Sequence, residues 1–293
     1  MATSCLRWVR GRRSKGNKMG NPTLRRRRSA FAAGLATVAL ALGFTAIPAD
    51  AAPPPQLDYV ALGDSYASGH GAVPYTDLNC FVSQKGYPAI ADKLRDVQLT
   101  ANAACSGWTM NHVLENLPVP DLKKAEIVTL TVGANDLNST ELLFACLPAP
   151  SSPECLAART RVATMLTDGS FAMELAALVT TIHTIAPDAK LVLTGYPYPL
   201  DPSHPLAVDV NSLADGLNAA IAGVAHFTNA QYGDVQYVDV TAAFSGHGVG
   251  SAEPWINFNP DNLRDPANFH PTGEGYRHGY FASLVSQEAF VLN

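Results

Sequence analysis

The chain has 293 residues, 47% of them hydrophobic and 15% charged, with a formal net charge of −5. That length and apolar content suffice for one large domain with a substantial core. The charge is unevenly placed: ten of the twenty Lys/Arg but only one acid, Asp50, precede residue 52, leaving 10 basic and 24 acidic residues, a net of −14, in the rest. A surface that acidic repels phosphate backbones and sets the protein against nucleic-acid partners.

The first element in chain order is a basic cluster, Arg25-Arg26-Arg27-Arg28, followed by an apolar run from Ala30 to Ile47 and the small-x-small sequence Ala49-Asp50-Ala51. This is the pattern of a cleaved secretory signal, expected over residues 1–51, with a single mature domain over 52–293. Gly34, Gly43, Thr45 and Pro48 argue against a membrane anchor. The arginines before Ser29-Ala30-Phe31 loosely resemble a twin-arginine signal, and Met19 is a second candidate start. Export also suits the cysteines. Cys5 lies in the leader; Cys80, Cys105, Cys146 and Cys155 remain, and four cysteines allow three pairings. Sequential pairing, Cys80–Cys105 and Cys146–Cys155, needs only local loops and is the preferred expectation, in keeping with an oxidising compartment. No Cys-x-x-Cys or His-x-x-x-His spacing occurs, so no metal site is expected.

Four short runs rich in Val, Leu and Ile read as strands covered on both faces: Asp58–Leu62, Ile127–Val132, Leu191–Gly195 and Gln236–Val240. A weaker strand is expected near Gln98–Ala101. Helical patterns lie between them at Tyr87–Arg95, Arg159–Ile185, Val210–Tyr232 and Gly275–Val291, with Pro187-Asp188 and Gly233 as stops. Alternating strands and helices predict a mostly parallel sheet between helical layers, a three-layer α/β/α sandwich of flavodoxin-like type.

In such sheets ligands bind beyond the carboxyl ends of the strands. The residues expected there are Gly63-Asp64-Ser65, Ala104-Cys105-Ser106-Gly107 and Gly133-Ala134-Asn135-Asp136. A long aperiodic segment, Phe244 to Pro271, ends in Phe269-His270-Pro271-Thr272. Together they hold what nucleophilic attack on an acyl carbon needs. Ser65 is a hydroxyl at a strand-to-helix turn, and His270 is a base able to take its proton. Gly107 and Asn135 are donors able to meet an oxyanion. Taken singly, these residues have plainer roles: Ser65 suits a helix N-cap, Asp64 a local cap, Asn135 a turn, and Asp136 the N-cap of a following helix. His70, His112, His183, His204, His226, His247 and His278 have no such surroundings and read as structural or exposed. Trp255 and Phe258 either close the core or line an acyl pocket.

The blocks Gly63-Asp64-Ser65, Gly107, Gly133-Ala134-Asn135-Asp136 and His270-Pro271-Thr272, in that order from about Tyr59 to the C-terminus, resemble those of the SGNH (GDSL) hydrolases, most closely the secreted bacterial esterases and lipases. The resemblance implies that Ser65 is the nucleophile and His270 the general base. It also implies that the N–H groups of Ser65 and Gly107 and the Asn135 side chain form the oxyanion hole. Where many members carry an Asp three residues before the His, this chain has Ala267. The imidazole is then oriented by the Ala267 main-chain carbonyl, in a Ser-His dyad, or by Asp265 as a displaced third member. The implied protein is a secreted, monomeric carboxylic-ester hydrolase that takes a small-molecule or lipid ester. It needs no cofactor and is not inserted in a membrane. Lipase, esterase, phospholipase, carbohydrate acetylesterase and thioesterase activities stay open. The negative charge makes anionic phospholipid the less natural substrate, and the aromatics of the long loop lean towards a lipophilic acyl chain. A non-catalytic glycan- or lipid-binding protein on the same fold is the rival, and the complete nucleophile, base and donor set is what speaks against it. No Gly-x-Ser-x-Gly elbow occurs, which disfavours the ordinary α/β-hydrolase reading.

Overall fold

A computed structural model describes residues 56–292; the expected signal segment, 1–51, lies outside them. Five strands form one parallel sheet: β1 (Leu57–Gly63), β4 (Val97–Ala104), β5 (Ile127–Thr131), β6 (Lys190–Thr194) and β7 (Val235–Val238), in the order β4-β1-β5-β6-β7. A small antiparallel pair, β2 (Tyr75–Asp77) and β3 (Val82–Ser83), stands apart. β1 leads outward to β4, while β5 leads to β6 on the opposite side. The strand order therefore reverses between β1 and β5, where a crevice opens at their carboxyl ends.

Alternation along the strands sends side chains to two cores. Val60 and Leu62 of β1 face one layer with Val113, Leu122, Leu175, Val179 and Leu217. These come from α3 (Met110–Glu115), α4 (Val119–Leu122), α7 (Ser170–Ile185) and α8 (Ala207–Tyr232). Tyr59 and Ala61 face the other way, onto the side covered by α2 (Tyr87–Ala91) and the C-terminal helices. The three-layer architecture expected from the alternating pattern is the one observed.

Several boundaries differ from the sequence expectation, each for a local reason. The stretch expected as one helix from Arg159 is two, α6 (Pro153–Thr167) and α7, bent by 55°. The break is Gly169, whose φ of 84° a helix interior cannot hold. α6 also begins six residues earlier, where the Ser152 hydroxyl caps the Cys155 N–H and Pro153 takes the first turn. The helix expected over Gly275–Val291 is a π-helix, Gly275–Phe281, running into α9 (Ala282–Ser286). α9 stops because Glu288 is left-handed (φ 58°), with the Ala289 N–H bonded to the Leu284 carbonyl and the Glu288 N–H to that of Val285.

Four helices had been given no bounds: α1 (Ser65–Ser68), α3, α4 and α5 (Ser139–Cys146), the last expected only as a helix following Asp136. Asp136 does not cap α5. Its carboxylate accepts the Met110 N–H instead, at the start of α3. Disulfides join Cys80 to Cys105 and Cys146 to Cys155. The first pins the β2–β3 corner to the end of β4; the second ties the end of α5 to the start of α6. No single helix among the described residues is long and apolar enough to cross a membrane.

Candidate active site

At the crevice between β1 and β5 a cavity of about 370 Å³ is lined by Ser65, Gly107, Asn135 and His270, four residues from separate segments of the chain. Ser65 opens α1. The cap of that helix is Asp64, whose Oδ1 accepts the Tyr66 N–H at 2.9 Å, so the Ser65 side chain is not spent on capping. Among the described residues neither the Ser65 N–H nor the Gly107 N–H donates to a protein acceptor. Asn135 gives one amide hydrogen to the Trp108 carbonyl at 2.9 Å, which fixes the side chain and leaves the second hydrogen free.

Asp64 is fully buried, and its Oδ2 accepts from the Tyr196 hydroxyl at 2.5 Å. That hydroxyl accepts in turn from the Ala134 N–H at 3.3 Å. The Ser65 turn and the Asn135 loop are thus joined through one phenol. Burial raises the Asp64 carboxyl to about 7, against the hydrogen bonds from Tyr196 and Tyr66 that favour its ionised form.

His270 is delivered by backbone pairing. The Asn257 N–H donates to the His270 carbonyl at 2.9 Å, the Phe269 N–H to the Asn257 carbonyl at 2.8 Å, and the Thr272 N–H to the Trp255 carbonyl at 2.7 Å. The Asn257 side-chain amide also bonds the carbonyls of His270 and Gly71. Phe269 sits at φ 63°, an uncommon conformation for an aromatic residue, with its carbonyl held by the Tyr66 hydroxyl at 2.5 Å.

The same pairing explains why Trp255 and Phe258 do not line the cavity, as the pocket alternative had it. Trp255 stacks on His247 at 3.5 Å and meets Phe244 edge-on, while Phe258 packs against Phe269. Their segment serves the site through its main chain. The apolar wall is built instead from Leu137, Leu142, Phe144, Val162, Leu213 and Leu217, on α5, α6, α8 and the loop before α5. α5 carries only a weak amphipathic signal, which is why this wall was not legible beforehand.

The His270 ring is half-buried, and among the described residues its Nδ1 makes no hydrogen bond. Burial, then the neighbouring His70, lower its pKa to about 3, while the carbonyls of Asn268, Ala267 and Pro266 favour the protonated ring. The Ala267 carbonyl accepts the His270 main-chain N–H at 3.1 Å. Asp265 lines the cavity, but its oxygens accept from the Ala267 N–H (3.0 Å) and the Asn259 amide (3.3 Å), not from the imidazole. No hydrogen bond joins the Ser65 hydroxyl to His270. Among the described residues no three His, Cys, Asp or Glu side chains stand close enough to hold a metal ion.

Sequence reasoning passed over His70, which is 2% exposed and stacks on His270 with ring centroids 4.1 Å apart. Its position five residues after Ser65, just past the α1 C-cap at Gly69, was the available signal.

The family described as GDSL-like Lipase/Acylhydrolase matches residues 61–278. The chain is 34% identical over 274 residues to a lipase of Streptomyces rimosus, covering 90% of this chain and 98% of the relative. Among solved structures, an extracellular lipase from Streptomyces rimosus superposes with a TM-score of 0.68 at 30% identity, over 78% of this chain and 99% of that one. A phospholipase A1 from Streptomyces albidoflavus does so with a TM-score of 0.65 at 29% identity, over 78% and 98%.

Proposed function

Because this chain belongs to the GDSL-like lipase/acylhydrolase family and is an ester hydrolase, we propose that it cleaves lipophilic carboxylic esters through an acyl-enzyme on Ser65, with His270 as the base. The observation that carries this reading is the cavity on which Ser65, Gly107, Asn135 and His270 converge. The Ser65–His270 hydrogen bond forms as substrate enters, since such bonds are commonly long in free enzymes. The hydroxyl attacks the acyl carbon while His270 Nε2 takes its proton. The oxyanion accepts from the free N–H groups of Ser65 and Gly107 and from the Asn135 amide; a single such donor is typically worth about 10²–10³ in kcat. Collapse expels the alcohol, which takes the proton from His270. Water, deprotonated by the same ring, then attacks the acyl-enzyme, releasing the acid and restoring Ser65. No carboxylate completes a triad. Asp265 is committed to its own loop, and the carbonyls of residues 266–268 favour the imidazolium.

The acyl chain lies against the leucine-rich wall from α5, α6 and α8. Two disulfides fit an oxidising compartment, and residues 1–51 act as a cleaved signal that exports a monomeric enzyme not inserted in the membrane. The test is Ser65→Ala, assayed on p-nitrophenyl esters from acetate to palmitate. Hydrolysis is expected to vanish with the circular dichroism spectrum unchanged; retained activity removes Ser65 from the mechanism.

A further inference from the structure

His70 occupies a place that packing alone does not explain. Phe81 stacks on it at 4.2 Å with an interplanar angle of 5°, and His270 at 4.1 Å and 28°. Two rings cannot share one face at that spacing, so Phe81 and His270 take opposite faces of His70. Its Nδ1 lies 2.9 Å from the Ser106 hydroxyl, on the loop that carries Gly107. Its main chain is tied to the nucleophile turn: the His70 N–H donates to the Ser65 carbonyl at 3.0 Å, and the Tyr276 hydroxyl donates to the His70 carbonyl at 2.8 Å. The Cys80–Cys105 disulfide binds the residue before Phe81 to the residue before Ser106, so both supports of the His70 ring hang from one covalent link.

We propose that His70 is a positioning residue for the reaction. Its ring, backed by Phe81 and anchored to Ser106, holds the face of the His270 imidazole and fixes the orientation that a carboxylate would otherwise set. The need for such a device follows from the site. Among the described residues His270 Nδ1 makes no hydrogen bond of ordinary geometry, and Asp265 is engaged elsewhere, so no carboxylate orients the ring and only the carbonyls of residues 266–268 face it. Stacking against a fixed neighbour supplies the restraint those carbonyls leave open, with Tyr66 more loosely placed at 5.5 Å and 42°. A ring kept for packing alone would be better as Phe, because His70 Nε2 is buried without a partner among the described residues and that is unfavourable. The bond to Ser106 gives the polar ring its purpose: it links the base to the oxyanion loop. Burial lowers the His70 pKa to about 4, so at neutral pH the ring adds no charge to oppose the imidazolium forming on His270.

This inference rests on the reading of Ser65 and His270 above, and the experiment separates the two. Steady-state kinetics on p-nitrophenyl butyrate, with a thermal melt for each variant, are compared for the wild type, His270→Ala, His70→Ala, His70→Phe, Ser106→Ala and the His70→Ala/Ser106→Ala double variant. His70→Ala is expected to lower kcat by about tenfold or more with KM changed less than about twofold, as loss of orientation does. His70→Phe restores part of the stack and recovers a large share of that loss. Ser106→Ala lowers kcat about threefold or more, and the double variant is no worse than His70→Ala, because both act through one ring. A His70→Ala kcat within twofold of wild type, a Phe variant no better than Ala, an effect on KM in place of kcat, or additive losses would each overturn the proposal. If His70→Ala does not fold, His70→Phe and Ser106→Ala decide: wild-type kcat in both refutes it. An active His270→Ala variant sinks the underlying reading, and with it this inference. An inactive one beside an unaffected His70→Ala sinks this inference alone.

Discussion

One methyl group placed at Gly71 tests how tightly His270, the proposed base, is seated. Gly71 has a φ of +93°, and a Cβ built there would stand 2.5 Å from the Pro271 carbonyl oxygen and 2.8 Å from both the Asn257 amide nitrogen and the His270 Cβ. Ordinary contact begins at 3.4 Å, so the base loop must retreat by about 0.9 Å at its tightest point. None of these atoms ends a flexible side chain free to swing away. Asn257 is clamped between the carbonyls of Gly71 and His270, and the other two atoms belong to the base loop itself. A displacement near 1 Å at a catalytic group lowers turnover by about 10²-fold.

The backbone conformation adds its own penalty of about 1–2 kcal/mol for an L-residue. Gly169→Ala isolates that part, since Gly169 has a φ of +84° and nothing within 4 Å of the added methyl. The assay is kcat and KM on p-nitrophenyl butyrate beside thermal melts of both variants. Both are expected to lose stability, but only Gly71→Ala to lose kcat, by about ten- to a hundredfold. Equal kcat values for Gly71→Ala and the wild type would refute the placement of the His270 loop against the Ser65 turn.

Three further outcomes are expected. Asp265→Asn changes kcat less than about tenfold, because its carboxylate supports the loop rather than the imidazole; a thousandfold loss would reinstate it as a third catalytic member. In the proposed mechanism the neutral imidazole is the active form, and its folded pKa is lowered to about 3, so the plateau of kcat/KM is expected to extend well below pH 6.5 and to fall only as the pH drops through the folded value. Below pH 6.5 the unfolded chain takes up this proton first, so stability declines in the same direction, and circular dichroism must accompany the rate measurement; an acid limb near 6.5 would contradict the burial of the ring. Leu213→Trp fills part of the apolar wall, and is expected to reduce hydrolysis of long-chain esters about tenfold relative to acetate; an unchanged chain-length profile would place the acyl chain elsewhere.

Much of the architecture was legible because its signals are local. Ile127–Thr131 and Lys190–Thr194 are buried at every position, and parallel strands covered on both faces read as unbroken apolar runs. The blocks around Ser65, Gly107, Asn135 and His270 were legible because each lies at a strand exit or closes the long loop. The start of α5 was misplaced at Asp136 for the opposite reason: its actual cap, Asn138, is left-handed and makes no side-chain cap bond. The Gly169 break was lost inside a continuous helical pattern.

By itself, the chain's order of strands, turns and polar blocks pointed to the crevice beyond the strand ends, and, with the family resemblance, to Ser65, Gly107, Asn135 and His270 as the residues that line it. That information is carried by neighbours in sequence: period, turn and motif. Only the tertiary structure decided what surrounds the imidazole. It turned Trp255 and Phe258 away, committed Asp265 to its own loop, and brought His70, 200 positions earlier in the chain, flat against His270. Stacking and burial depend on which surfaces are pressed together once the layers close, and no spacing along a sequence records that.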